Sequence, residues 1–329
     1  MRICVVGGTG NISTSIVREL VRQGHEVTVF NRGQRGPAPD GVRVMQGDRK
    51  DSAAFEQAMQ AEAFDAAIDM ICFDAEDAAS SLRAFRGVGQ FIQTSTVCTY
   101  GIQYDWLPVP EDHPLRPITD YGRNKVAADA LFMEAYYREG FPVTIIKPST
   151  TFGPSWNLLR QIAWEAGWVD RVRKGKPILV CGDGIAIHQF LYVDDAALGF
   201  AGALGKERCI GQTYNLVNHG FTCWADYHRT AMRVIGREVE LIGVPLADLV
   251  AADVPNVGIC KEIFAHNTCY SCDKIMRDIP EFRPQVTLEE AMRRVLDAMD
   301  RDGRVPDSDA ETWEDRLIER QRAVAGAAV

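Results

Sequence analysis

Residues 2–17 read Arg2-Ile-Cys-Val-Val-Gly7-Gly-Thr-Gly10-Asn-Ile-Ser13-Thr-Ser-Ile-Val17. The apolar run from Arg2 to Val6 has the length of a buried strand. Ile12, Ile16, Val17, Leu20 and Val21 then fall on one face of a helix that Gly24 is placed to end. Between strand and helix, Gly7 permits a tight turn and Gly10 lets backbone approach a pyrophosphate at the positive helix end. The spacing is G-x-x-G-x-x-S rather than G-x-G-x-x-G, with Ser13 where close helix–strand packing usually takes a third glycine. A strand, a glycine loop and a helix in immediate succession make Gly7, Thr9, Gly10, Asn11 and Ile12 candidate contacts to a dinucleotide.

The same rhythm continues outward. Glu26–Phe30, Val42–Gln46, Ala66–Met70, Gln90–Thr94 and Val143–Ile146 read as further strands, and a helix from about Tyr121 to Glu139 stops at Gly140. Six strands alternating with helices predict an α/β fold, a Rossmann-type doubly wound parallel sheet with ligands along the edge where the strands end. Beyond Gly153 the rhythm loosens into Trp156, Trp164, Trp168 and the basic stretch Arg171–Lys176. The expected division is a dinucleotide-binding domain over 1–152 and a smaller substrate domain over 153–329, with some later segments returning to the sheet. The charged tail from Arg301 to Arg322 reads as a surface helix with a frayed Ala/Gly end.

Composition narrows the partners. The 329 residues carry 36 Lys plus Arg against 45 Asp plus Glu, a net charge of −9, which repels phosphate backbones and argues against a nucleic-acid partner. Apolar residues at 46% and charged residues at 25% exclude a disordered chain, and no apolar run reaches the roughly 18 residues of a membrane helix. Met1–Val6 is too short for a leader-peptide core. Nine scattered cysteines suit reduced thiols and a cytoplasmic setting. Cys269-Tyr-Ser-Cys272 with His266 lacks a fourth ligand at suitable spacing, so no metal site is expected.

Candidate chemistry clusters at strand ends. The second strand ends in Asn31-Arg32 without the acid that grips an NAD ribose; Arg32 and nearby Arg35 either pair with a 2′-phosphate, which favours NADP, or are solvated. Asp48 either meets the adenine amine or caps its own loop. Tyr121 and Lys125 stand at i and i+4 on one helical face, where an ammonium favours phenolate and the pair can move a carbinol proton.

In order along the chain, the glycine loop, Phe91-Ile-Gln-Thr-Ser-Thr96 running to Tyr100-Gly101, Tyr121/Lys125, Lys147-Pro148 to Gly153-Pro154, Phe190 to Asp195, Tyr214-Asn-Leu216 and Asp273-Lys274 resemble the extended short-chain dehydrogenase/reductase family, the NAD-dependent epimerase/dehydratase group, over roughly residues 1–300. The resemblance implies that Tyr121 is the catalytic acid/base. Lys125 would bind the nicotinamide ribose and lower the tyrosine's pKa. Thr96 would hydrogen-bond the reacting oxygen, with Ser95 as fallback, and Pro148 and Ser149 would border the nicotinamide. It implies an NAD(P)-dependent epimerase or oxidoreductase acting on a secondary alcohol of a sugar-like small molecule. The alternatives are a ketoreductase, or a non-catalytic dinucleotide sensor or RNA-associated protein of the same fold.

Departures from the family pattern bear on substrate. Sugar-nucleotide 4,6-dehydratases carry Asp and Glu where this chain has Val97 and Cys98, which argues against dehydration. Thr150 and Thr151 replace a substrate-binding Asn, and His188 replaces an Arg on the diphosphate, losing a permanent charge. Ser95, Cys98, Thr150 and His188 remain candidate substrate contacts. Asp194 and Asp195 are expected to cap the helix that follows. Family members often form homodimers through the Tyr-bearing helix; Leu131, Phe132, Ala135 and Tyr136 either supply that apolar surface or face the sheet.

Overall fold

Seven parallel strands share one sheet in the computed structural model, which describes residues 1–327. The first six are β1 (Arg2–Val6), β2 (Glu26–Asn31), β3 (Arg43–Gln46), β4 (Ala66–Asp69), β5 (Gln90–Thr94) and β6 (Val143–Pro148). The helices α1 (Asn11–Arg22), α2 (Ser52–Gln60), α3 (Ala75–Ala84) and α4 (Asp120–Glu139) alternate with them. A seventh strand, Gln212–Leu216, lies parallel to β6 and gives the order Gln212–Leu216, β6, β5, β4, β1, β2, β3. This is a doubly wound Rossmann sheet. The apolar rhythm predicts only six strands because the seventh is half polar. Its Asn215 is buried yet satisfied: Tyr100 Oη donates to Oδ1 at 2.9 Å, and Nδ2 donates to Val109 O at 3.1 Å.

Burial on both faces explains the unbroken apolar strands. Ile3 and Val5 of β1 join Ile16, Val17 and Leu20 of α1 in one core layer. Cys4 and Val6 join Phe55, Phe91 and Phe132 in the layer on the other face. Phe132 and Ala135 are buried in that second layer, and Leu131 and Tyr136 pack against it, so these residues cover the sheet instead of forming an exposed dimer surface. Asp194 and Asp195 sit in the first turn of the Val193–Ala203 helix, whose N-cap is Tyr192. Their carboxylates reach other segments: Asp194 accepts from Ser15 Oγ at 2.7 Å, and Asp195 from Gln285 N at 3.1 Å.

The chain divides into two compact units. The first holds the sheet and comprises Met1–Thr151, Leu191–His219 and Tyr270–Gln285; the second comprises Phe152–Phe190, Gly220–Cys269 and the residues from Val286 onward. In the second unit, Ile178–Cys181 pairs in parallel with Leu241–Val244, and Trp168 and Trp224 are fully buried. Its C-terminal helix begins at Trp313 and is more than a surface element, because Glu314, Leu317 and Ile318 are buried. Glu314 pairs there with Arg160 and Arg171, both buried. The last residues of the expected frayed end, 328 and 329, lie outside the described residues. All nine cysteines are free thiols, and among the described residues no helix is long and apolar enough to cross a membrane.

Candidate active site

The strand ends of the first unit bring the predicted residues to one edge. Gly7 leaves β1 with φ +84°, and a Cβ there would lie 2.7 Å from Ile71 Cγ2, so the turn admits only glycine. Ser13 takes over the role of the missing third glycine by hydrogen bonding. Its Oγ accepts from Gly10 N at 2.7 Å and donates to Gly7 O at 2.7 Å, which closes the loop on itself. α1 has no acid in its first turn, so its positive end is not neutralised locally. Asn11 Nδ2 reaches Thr151 O at 3.5 Å, while its Oδ1 is buried with no partner. A glycine cradle and an open helix N-terminus fit a dinucleotide pyrophosphate, and the orphaned Asn11 Oδ1 is an acceptor suited to a hydroxyl or amide donor of such a ligand. Thr9 and Ile12 flank this loop, both part-buried.

At the end of β2, Asn31 Oδ1 accepts from Gly33 N at 2.7 Å and so shapes the turn that carries Arg32 and Arg35, both exposed. Asp48 is a loop cap, since its Oδ1 accepts from Lys50 N at 3.0 Å; the adenine contact gains no support. Its neighbour Arg49, which sequence reasoning passed over, is buried against Asp69 and Asp77, with Nη2 3.1 Å from Asp69 Oδ2 and Nη1 2.7 Å from Asp77 Oδ1.

Beyond β5 the chain forms a short 3-10 helix, Val97–Tyr100, capped by Thr96, whose Oγ1 accepts from Cys98 N at 3.2 Å. The Thr96 hydroxyl stands near the Tyr121 phenol and favours its phenolate. Desolvation by the atoms packed around the phenol, and then the nearby Cys98, raise its pKa above the ordinary value of about 10, and the 44% exposure of the residue tempers that rise. Lys125 is 1% exposed, and its Nζ donates to Cys72 O at 2.7 Å and Thr94 O at 2.6 Å while lying 5.9 Å from the Tyr121 ring centre. An ammonium has three N–H groups, so one lies beyond these two bonds.

Ser95 is not interchangeable with Thr96. Its Oγ donates to Asp129 Oδ2 at 2.5 Å, and that carboxylate lies 3.9 Å from Lys147 Nζ. Asp129 follows Lys125 by one helical turn, the signal that places it on the same face of α4. Pro148 ends β6, and Ser149 N donates to Leu216 O at 3.1 Å; Thr150 follows, part-buried. His188 belongs to the second unit and is 3% exposed, packed against Phe190, Trp224 and Phe264. Its Nδ1 meets Thr268 Oγ1 at 2.8 Å, and burial pushes its pKa down to about 3. It is a neutral packed ring and supplies no charge for a phosphate. Among the described residues no group of three or more His, Cys, Asp or Glu could hold a metal ion.

Gly122 explains how Tyr121 comes so close to the Thr96 turn. A Cβ at Gly122 would lie 2.7 Å from Cys98 O and 3.0 Å from Pro117 Cβ. Gly122→Ala is expected to push the 3-10 turn off the helix and misplace Thr96 against Tyr121, lowering kcat/KM by about 10²-fold. Steady-state kinetics beside a circular-dichroism melt check this; unchanged kinetics would contradict it.

The sequence model of the NAD dependent epimerase/dehydratase family matches residues 3–216. The 2'-dehydrokanamycin reductase of Streptomyces kanamyceticus is 30% identical over 247 residues, 74% of this chain and 70% of that protein. The chloroplast stem-loop binding protein of 41 kDa b of Arabidopsis thaliana is 29% identical over 229 residues, 65% of this chain and 58% of that one. In fold, the chain is similar to UDP-glucose 4-epimerase of Thermotoga maritima, with a TM-score of 0.74 at 20% identity, covering 92% of this chain and 99% of that one. With its glycine loop, its Tyr121–Lys125 helix and a profile match across most of the sheet, the chain belongs to the NAD dependent epimerase/dehydratase family.

Proposed function

We propose that this enzyme moves hydride between a nicotinamide and the carbinol carbon of a sugar-like substrate, with Tyr121 exchanging the hydroxyl proton. The observation that carries the reading is the placement of Tyr121 one helical turn before the buried Lys125, whose Nζ lies 5.9 Å from the Tyr121 ring centre, with Thr96 capping the turn next to the phenol. A bound dinucleotide supplies the hydride donor or acceptor. The Gly7–Ile12 loop would hold its pyrophosphate, Lys125 its nicotinamide ribose, Pro148 and Ser149 its nicotinamide side, and Asn31, Arg32 and Arg35 its adenosine ribose. Thr96 holds the reacting oxygen and Tyr121 gives or takes the proton there.

Net reduction of a ketone, with the nucleotide exchanging each turnover, is favoured over internal epimerisation by the likeness to a 2'-dehydrokanamycin reductase. Exposed Arg32 and Arg35 favour NADP, and nine free thiols favour a reducing, cytoplasmic setting. Val97 and Cys98 leave no acid pair for dehydration, and a net charge of −9 disfavours the RNA-binding alternative.

The test is to identify the nucleotide in the purified protein, titrate NAD and NADP, and follow deuterium from 4-deuterated NAD(P)H into keto-sugars. Deuterium in a product alcohol is expected, with Arg32→Ala weakening NADP about 10-fold and leaving NAD unchanged. Tightly held NAD that never exchanges would mean epimerisation, and failure to bind either nucleotide would end the enzyme reading. A pH profile gives a second check. A phenol held above its ordinary pKa keeps its proton through neutrality, so kcat/KM for reduction is expected to stay flat from pH 6 to 9. Oxidation needs the phenolate, so its kcat/KM is expected to rise about tenfold per pH unit over that range.

A further inference from the structure

Within the second unit a cavity of about 460 Å³ opens between Trp156 and Trp164. Its volume falls in the roughly 300–1,000 Å³ range of small-ligand sites. The two indoles are 43% and 44% exposed and meet edge to face, with ring centres 5.7 Å apart. Two large aromatic side chains left half open on one cavity are a ligand surface by composition, since such rings are normally driven into the core. Trp164 is backed by the Phe264 ring at 5.7 Å, and the Trp156 segment is fixed from behind by Arg304.

The charges in the lining decide which ligand fits. Arg304 donates to Pro154 O at 2.6 Å, Trp156 O at 2.7 Å and Asn157 Oδ1 at 2.8 Å, and its Nε lies 3.3 Å from Asp302 Oδ2. Four of its five N–H groups are therefore engaged. Arg160, the other cation in the lining, is buried between Glu165 and Glu314. A diphosphate entering here would meet guanidiniums already neutralised. A pyranose has the opposite needs: its C–H face packs on an indole, and its hydroxyls turn to the open rim at Ser155 and Asn157.

We propose that this cavity binds an unphosphorylated sugar ring, stacked on Trp156 and Trp164, and not a nucleoside diphosphate. The proposal rests on the sugar oxidoreductase reading above for its link to turnover, but its test is a binding measurement. The full-length protein is titrated by calorimetry and tryptophan emission with glucose, glucosamine, maltose and kanamycin, and separately with UDP and UDP-glucose. Saturable binding of at least one unphosphorylated sugar is expected. Its affinity should fall at least tenfold in Trp156→Ala and in Trp164→Ala, and stay within about threefold in Trp164→Phe, which keeps a ring. Melting curves confirm that the variants fold, and the Phe variant keeps the test decisive should an Ala variant not fold. Binding of UDP or UDP-glucose that the same substitutions abolish would overturn the proposal. So would the absence of binding by any of the four sugars, or binding indifferent to both tryptophans. Tyr121-dependent hydride transfer to a sugar nucleotide, without sugar binding here, would sink this proposal alone; sugar binding without hydride transfer would sink only the catalytic reading.

Discussion

Tyr121→Phe is expected to lower kcat by about 10²–10⁴-fold, the usual contribution of a positioned general acid or base, while nucleotide affinity stays within a few-fold. The substitution removes only the hydroxyl. The ring remains 6.5 Å from Phe73, and Lys125 keeps its bonds to Cys72 O and Thr94 O, so the neighbouring ammonium is undisturbed. Thr96→Ala should lose less, because it removes a hydrogen bond to the reacting oxygen and leaves the proton carrier in place. Single-turnover kinetics with a nucleotide-binding titration separate the two. A Tyr121→Phe enzyme that turned over at the parent rate would remove Tyr121 from the chemistry.

Glu314→Ala is expected to destabilise the second unit by about 3–5 kcal/mol. Its carboxylate touches Arg160 and Arg171, both almost fully buried, and accepts from Leu179 N at 2.9 Å, pinning the Ile178–Cys181 strand. Removing it strands buried positive charge with Glu165 and Asp315 as the remaining acids. A melting temperature lower by about 10 °C is expected. Glu314→Gln, which keeps the shape and one acceptor, should recover part of the loss. An unshifted melt in Glu314→Ala would show that the C-terminal helix does not hold this unit together.

The residues that reading in order could find were those whose meaning is local. β1, the glycine loop and α1 announce themselves within a single stretch, and Tyr121 and Lys125 are one helical turn apart. What escaped was pairing across sequence. Arg49 looks like a solvated loop cation until β4 and α3 bring Asp69 and Asp77 to it. Ser95 and Thr96 are adjacent and chemically alike, and only the approach of Asp129 on α4 separates a structural hydroxyl from one facing Tyr121. The buried Asn215 made the seventh strand look too polar for a sheet, because its partners Tyr100 and Val109 lie in another part of the chain. His188 sat at a position where a charge was expected, and its burial among aromatic rings became legible only in three dimensions.

The interleaving of the two units sets a problem for the chain as it leaves the ribosome. When Met1–Thr151 has emerged, β6 is complete, its six residues destined for full burial, but the strand that pairs with it, Gln212–Leu216, has not been made. Phe152–Phe190, which belongs elsewhere, must be synthesised first, a wait of seconds at roughly 5–20 residues per second. For that interval β6 is an apolar sheet edge with unpaired backbone donors and acceptors, open to any other nascent strand. The sheet is thus finished by late-arriving chain, and exposure of this particular edge during synthesis should end once Gln212–Leu216 is added.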